Sequence, residues 1–206
     1  MWTLSPSLPD AAGLELEDAK QLVREEVRRH RRDRPERERR EAADAIAVHA
    51  HALLDGVTTV AAYAARPAEP DTGPLLEVLG EAGVEILLPV LGPGLTRDWA
   101  TYRVGDPLAE RAPGRPPEPD GPGLGEAAIA QADLVFAPAL GVDDRGVRLG
   151  QGGGWYDRVL THARPGTPVI AVVFDDERCS DPLPSAPHDR PVDGVLTPSG
   201  VEWLRP

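Results

Sequence analysis

Apolar positions run along this chain in two rhythms, one of three to four residues and one that alternates or runs unbroken. From Asp18 to Arg32 the first rhythm predicts a helix, with Leu14, Leu16, Leu22, Val23 and Val27 as apolar contacts. Lys20, Arg24, Arg28 and Arg31 recur at three- and four-residue intervals and make one edge of it basic. Asp33 to Arg37 breaks the pattern, and Glu38 to Leu54 predicts a second helix, apolar through Ala42, Ile46, Val48, Ala50 and Leu53. At Gly56 the rhythm changes: V-T-T-V-A-A-Y is a β-branched run bounded by Gly and by Ala-Arg-Pro, the pattern of a buried strand. Pro67 to Asp71 reads as a loop, Thr72 to Ala82 as a helix on Leu75, Leu76 and Leu79, and Val84 to Val90 as a second strand. Strand, helix and strand within about 30 residues form the βαβ unit of a parallel sheet.

Gly92 to Pro122 reads as one long loop, interrupted by Trp99 and Tyr102. Aromatic residues three apart brace a loop or stack on a flat ligand. Glu126 to Gln131 follows as a short helix, Asp133 to Leu140 as a third strand, and Asp143 to Gly146 as a turn. Trp155 to Ala163 is the next helix and ends at Pro165 and Gly166. Pro168 to Phe174 is an unbroken apolar run, hence a central strand, with Asp175, Asp176 and Glu177 at its carboxyl end, where open α/β sheets place ligands. Val192 to Leu196 is a last short strand. The sum is an α/β fold: a three-layer, open, mostly parallel sheet flanked by helices, with two helices at the N-terminus. Residues 1–13, rich in Pro and polar side chains, are expected to be a disordered extension, and 14–206 a single domain.

Composition narrows the functional classes. A net charge of −12 excludes a general nucleic-acid binder, which needs excess Lys and Arg to displace counterions, so any anionic ligand requires a local basic patch. Lys20 is the only lysine and Cys179 the only cysteine; an intrachain disulfide is excluded, and a reducing cytoplasm fits. No apolar run approaches the roughly 18 residues of a membrane span. A soluble, cytoplasmic monomer is expected.

The candidate chemistry concentrates in R-L-G-Q-G-G-G-W-Y-D-R-V-L, Arg148 to Leu160. Gly150, Gly152, Gly153 and Gly154 admit positive φ and carry no Cβ, so their N–H groups can converge on an anion as the chain enters a helix. Asp157 and Arg158 set a carboxylate and a guanidinium in the first turn, and a carboxylate there can hold Mg²⁺. Neither G-x-G-x-x-G nor the P-loop is completed, because position 155 is Trp and no G-K-[ST] follows. The basic edge of the first helix is ordinarily a solvated face with Glu25 and Glu26 as partners.

In order, the chain carries Lys20 and Arg24 on the basic helix, Glu69 after the first strand, W-A-T-Y, the glycine loop, and P-H-D-R-P-V-D. This arrangement, from about Lys20 to Thr197, resembles the 5-formyltetrahydrofolate cyclo-ligase family, whose members carry an L-G-R-G-G-G-Y-Y-D-R type loop. The resemblance implies ATP- and Mg²⁺-dependent closure of 5-formyltetrahydrofolate to 5,10-methenyltetrahydrofolate, with release of ADP and phosphate. In the family's scheme the formyl oxygen is phosphorylated, N10 attacks the activated carbon, and phosphate leaves. It further implies that Lys20, Arg24, Arg148 and the loop Gly150, Gln151, Gly152, Gly153, Gly154, Trp155 and Tyr156 hold ATP. Ala64, Glu69, Trp99 and Tyr156 would meet the folate, and Asp157 and Asp189 would ligate Mg²⁺. His188 is given no catalytic role.

Two positions depart from the family pattern. Gln151 stands where many members have Arg, which removes a charge from the loop, and Trp155 replaces the first Tyr of the pair, keeping a stacking surface without the hydroxyl. Gln151 leaves open a divergent paralogue that binds folate or nucleotide without turnover. The anion loop alone also fits a sugar-phosphate or CoA-type α/β enzyme.

Overall fold

The computed structural model describes residues 13–92, 94, 96–111, 114–186 and 189–204. The expected N-terminal extension lies, except for Gly13, outside the described residues, as does His188. Helix α1 spans Leu16–Asp33, with Glu17 and Asp18 in its first turn and His30, Arg31 and Arg32 in its last, so charge opposes the helix dipole at both ends. Arg34 and Pro35 end it, because proline pushes the preceding residue out of the helical region. Helix α2 (Glu36–Ala50) follows, with a 3₁₀ turn at His51–Leu53 replacing the last turn that the periodicity predicts as α-helical. Then come β1 (Thr59–Ala61), α3 (Gly73–Glu81), β2 (Glu85–Leu91), β3 (Arg97–Tyr102), β4 (Leu108–Ala109) and β5 (Glu118–Pro119). A 3₁₀ segment at Glu126–Gln131 leads into β6 (Leu134–Pro138), β7 (Gly141–Asp143), β8 (Arg148–Leu149) and helix α4 (Trp155–Val159). The chain closes with β9 (Val169–Val172), β10 (Arg178–Cys179), β11 (Gly194–Thr197) and β12 (Gly200–Trp203).

Seven strands form the main sheet in the order β12-β11-β9-β6-β1-β2-β3. The five inner strands are parallel, and both edge strands pair antiparallel to their neighbours. Alternation along each strand splits the core into two layers. Val60, Ile86, Leu88, Phe136 and Ile170 face α2 and α3, whereas Ala61, Leu87, Val135, Ala171 and Val173 face the 126–131 segment and α4. A small sheet, β10-β7-β8, stands apart, and Val23 of α1 packs on its Leu149 together with Leu140 and Leu183. Cys179 belongs to this cluster; burial pushes its thiol up to about 11, so it remains a protonated packing residue.

Three expectations need correction. Gly92 to Pro122 is no single loop: Arg97–Tyr102 turns back antiparallel on β2, burying Trp99 completely, because R-D-W-A-T-Y alternates as a half-buried edge strand does. The Trp155 helix has only five residues before a 3₁₀ turn at Leu160–His162, so its dipole adds little. Past Leu196 the chain makes a hairpin, and β12 closes the sheet edge.

Candidate functional site

The chain leaves β1 toward β2 on one side of the sheet and returns at β6 on the other, which makes the carboxyl ends of β1 and β6 the switch point. A cavity of about 880 Å³ opens there, lined by Tyr63, Arg66 and Glu69 after β1, by Pro138 at the end of β6, and by the glycine loop. Lys20 and Arg24 of α1, Arg148, Gly150 to Asp157 and Asp189 complete its wall, so the cations and the carboxylates predicted from sequence meet in one cleft. A second depression of about 890 Å³, beside Arg164, Pro165 and Trp203, contains none of those residues.

The glycine loop is held from behind. Arg24 Nε donates to the Gly150 carbonyl at 3.1 Å, and Arg28 Nη2 donates to the Gln151 carbonyl at 3.0 Å. Gly152 and Gly154 take φ of 102° and 60°, which only glycine adopts without strain. Among the described residues, no backbone or side-chain acceptor receives the N–H groups of Gln151 to Gly154. Four such donors on a cavity wall suit an anion's oxygens.

Charged partners surround the loop in pairs. Lys20 Nζ lies 2.6 Å from Asp189 Oδ2, both largely buried. Arg148 Nη2 lies 2.9 Å from Asp157 Oδ1, and Nη1 donates to the Pro138 carbonyl at 3.1 Å. Arg148 Nε is buried with no acceptor among the described residues. The Arg190 N–H reaches Asp157 Oδ1 at 3.4 Å, which brings the two acidic loops together. Asp157 and Asp189 thus stand near one another, each already bonded to a cation, and no three described His, Cys, Asp or Glu side chains form a cage. Mg²⁺ is commonly held by one or two carboxylates plus a substrate's phosphates, so Asp157 and Asp189 are the residues that could hold one here.

Across the cavity, Glu69 is fixed by its own turn. Its Oε2 accepts the Arg66 N–H at 2.9 Å, and its Oε1 accepts Arg66 Nη2 at 3.1 Å and Gln151 Nε2 at 3.0 Å. The residue before it, Ala68, sits at φ 70°, a left-handed conformation that costs a non-glycine residue roughly 1 kcal/mol. Thr72 locks the same turn, accepting the Ala65 N–H and donating to the Tyr63 carbonyl. Beside Glu69, the Tyr63 and Tyr156 hydroxyls are buried without partners among the described residues, although both rings line the cavity. Burial first, and then the nearby Glu69 carboxylate, push both phenols up, with Arg148 opposing at Tyr156, so they stay neutral donors.

Two expected folate contacts lie elsewhere. Ala64 is buried in the α2/α3 layer, and Trp99 is wholly buried behind Trp155, edge-on at 5.0 Å. Trp155 in turn meets Tyr156 at 4.9 Å, so Trp99 backs the aromatic wall and does not line the cavity. Sequence reasoning passed over Tyr63 and Arg66, although the strand-end Tyr and the Arg-Pro after it mark the spot.

A model of the 5-formyltetrahydrofolate cyclo-ligase family matches residues 16–198. The chain is 44% identical over 153 residues to the 5-formyltetrahydrofolate cyclo-ligase of Mycolicibacterium smegmatis, covering 71% of this chain and 77% of that protein. To the Escherichia coli K12 protein of the same name it is 33% identical over 150 residues, covering 70% and 81%. The solved 5,10-methenyltetrahydrofolate synthetase of Aquifex aeolicus superposes with a TM-score of 0.77 at 26% identity, over 91% of this chain and 93% of that one. With the family model spanning most of the chain and relatives at this identity and coverage, the chain belongs to the 5-formyltetrahydrofolate cyclo-ligase family.

Proposed function

We propose that this protein converts 5-formyltetrahydrofolate to 5,10-methenyltetrahydrofolate at the expense of ATP, with Mg²⁺, releasing ADP and phosphate through a phosphorylated formyl group. One observation carries the reading: a single cavity joins buried cations and four loop amides to a carboxylate beside two phenols, the amides and phenols having no partner among the described residues. Its volume suits a small-molecule site, typically about 300 to 1,000 Å³.

Phosphoryl transfer needs charge neutralisation and in-line positioning more than a protein nucleophile. Lys20 acts as a point charge, Arg24 and Arg148 as forks, and the loop N–H groups as fixed dipoles, together offsetting the triphosphate in a protein of net charge −12. Mg²⁺, when bound through Asp157 and Asp189, would neutralise phosphate oxygens. Glu69 accepts pterin N–H groups, and the Tyr63 and Tyr156 hydroxyls donate to the folate's oxygens or nitrogens. Trp155, stiffened by Trp99, gives the ring a flat wall. The reading also places the enzyme in the cytoplasm, where its lone, buried thiol stays reduced.

The test is turnover of 5-formyltetrahydrofolate with ATP and Mg²⁺, followed by methenyl absorbance. Absorbance should rise only with ATP present, one phosphate appearing per methenyl formed. No product, or product formed equally well without ATP, contradicts the reading.

A further inference from the structure

Helix α1 reaches the glycine loop at two carbonyls. Arg24 holds that of Gly150, and Arg28 grips Gln151 twice, through its main-chain carbonyl at 3.0 Å and its side-chain Oε1 at 3.1 and 3.2 Å. A planar trans peptide points its N–H opposite its C=O, so these contacts turn the N–H groups of Gln151 and Gly152 away from α1. The far end of the same amide, Gln151 Nε2, donates to Glu69 Oε1 at 3.0 Å. Only this orientation satisfies both neighbours; reversed, it would set an NH₂ against a guanidinium and an oxygen against a carboxylate. Arg28 itself does not line the cavity.

We propose that Arg28 and Gln151 form a positioning bridge that holds the phosphate-facing loop and Glu69 in one register, with Arg28 supplying from α1 the positive charge that residue 151 lacks. The bridge rests on the cyclo-ligase reading, in which the loop meets nucleotide and Glu69 meets folate. A neutral amide suits position 151 because the surroundings are already crowded with cations: burial first, then the Arg24 and Arg66 charges, pull Arg28 down from the ordinary arginine range. A second guanidinium at 151 would meet Arg28 head-on, whereas the amide carries hydrogen bonds from cation to carboxylate without adding charge. Residues 28 and 151 therefore have to change together.

The test is a transposition in the full chain: Arg28→Gln, Gln151→Arg and the double variant R28Q/Q151R, with kcat and KM measured for each substrate. Each single variant should lose about tenfold in kcat/KM for both substrates, the double should return to within about threefold of wild type, and melting temperatures should hold. An Arg28→Gln enzyme with wild-type constants, a double variant whose losses multiply, or a loss confined to one substrate would overturn the bridge. Titrating the same four proteins with a non-hydrolysable ATP analogue separates this outcome from the function itself. A wild type that binds the analogue without turnover overturns the enzyme reading, and the bridge is then read from whether the double variant restores affinity. A wild type that neither binds nor turns over overturns both.

Discussion

One helix edge serves two ends of α1 in different ways. At its C-terminal end, Arg31 Nε and Nη2 meet the two oxygens of Glu177 at 2.6 and 2.7 Å, and Nη2 also donates to the Ala139 carbonyl. Arg34 beside it holds Asp176 and lies 4.2 Å over the Phe174 ring. Burial works against the Arg31 charge, yet Glu177 outweighs it and keeps the guanidinium ionised. Toward the other end, Lys20 and Arg24 face a cavity whose Gln151 to Gly154 amides and Tyr63 and Tyr156 phenols have no partner among the described residues, and Arg28 stands behind its loop. Similar spacing along a helix thus hides two surroundings: Arg31 and Arg34 close on Glu177 and Asp176 away from the cavity, whereas Lys20 and Arg24 line it.

Breaking the Arg31 pair should be the most costly change for the fold. Arg31→Ala leaves Glu177 buried and unpaired, and a loss of about 3 to 5 kcal/mol in a denaturant titration is expected; a loss under about 1 kcal/mol would make the pair incidental. Changes on the cavity side should reverse the pattern. Asp157→Ala should lower kcat by about a hundredfold or more, with the melting curve largely kept. Wild-type-like turnover would remove the metal assignment. Tyr156→Phe deletes only a buried hydroxyl that has no partner among the described residues, so stability should hold or rise while kcat/KM falls about tenfold. An unchanged kcat/KM would show that this phenol does not meet substrate.

The smallest effect is expected at the opposite end of the sheet, where Asp133 accepts bonds from Thr58, Thr59 and Arg164. Those bonds, the Thr58 hydroxyl's first, hold its carboxyl well below the ordinary value of 3.8. Because the folded pKa is depressed, the stabilisation is present above the unfolded value and is lost as pH falls below it. Asp133→Asn should therefore flatten the acid limb of melting temperature against pH below about 4, leaving turnover at neutral pH intact. An identical acid limb would assign the stabilisation elsewhere.

The parallel sheet was legible because Val60, Leu87, Val135 and Ile170 sit in short β-branched or aliphatic runs that only buried strands tolerate. β3 was not, since Gly and Pro on both sides of R-D-W-A-T-Y outweighed six residues of alternation. The little sheet β10-β7-β8 was also invisible, because its two- and three-residue strands are fixed by Asp143 accepting N–H groups from Arg145, Val147 and Leu183 and by distant pairing, not by a local pattern. Lys20, Arg24, Glu69 and Asp157, expected from their motif positions, all line the cavity. Trp99, expected at the folate, stands one layer behind the cavity wall, and an aromatic residue reads the same in sequence in either place. Arg28 was visible only as one more charge in a run; its role depends on Gln151, 123 residues away.

The most direct test of the loop as a phosphate receptor is amide hydrogen exchange of the wild-type protein with and without a non-hydrolysable ATP analogue and Mg²⁺. New protection should appear at Gln151 to Gly154, with no change around Arg31 and Glu177. Unchanged exchange in the loop, with protection appearing instead beside Arg164 and Trp203, would contradict that role for the loop.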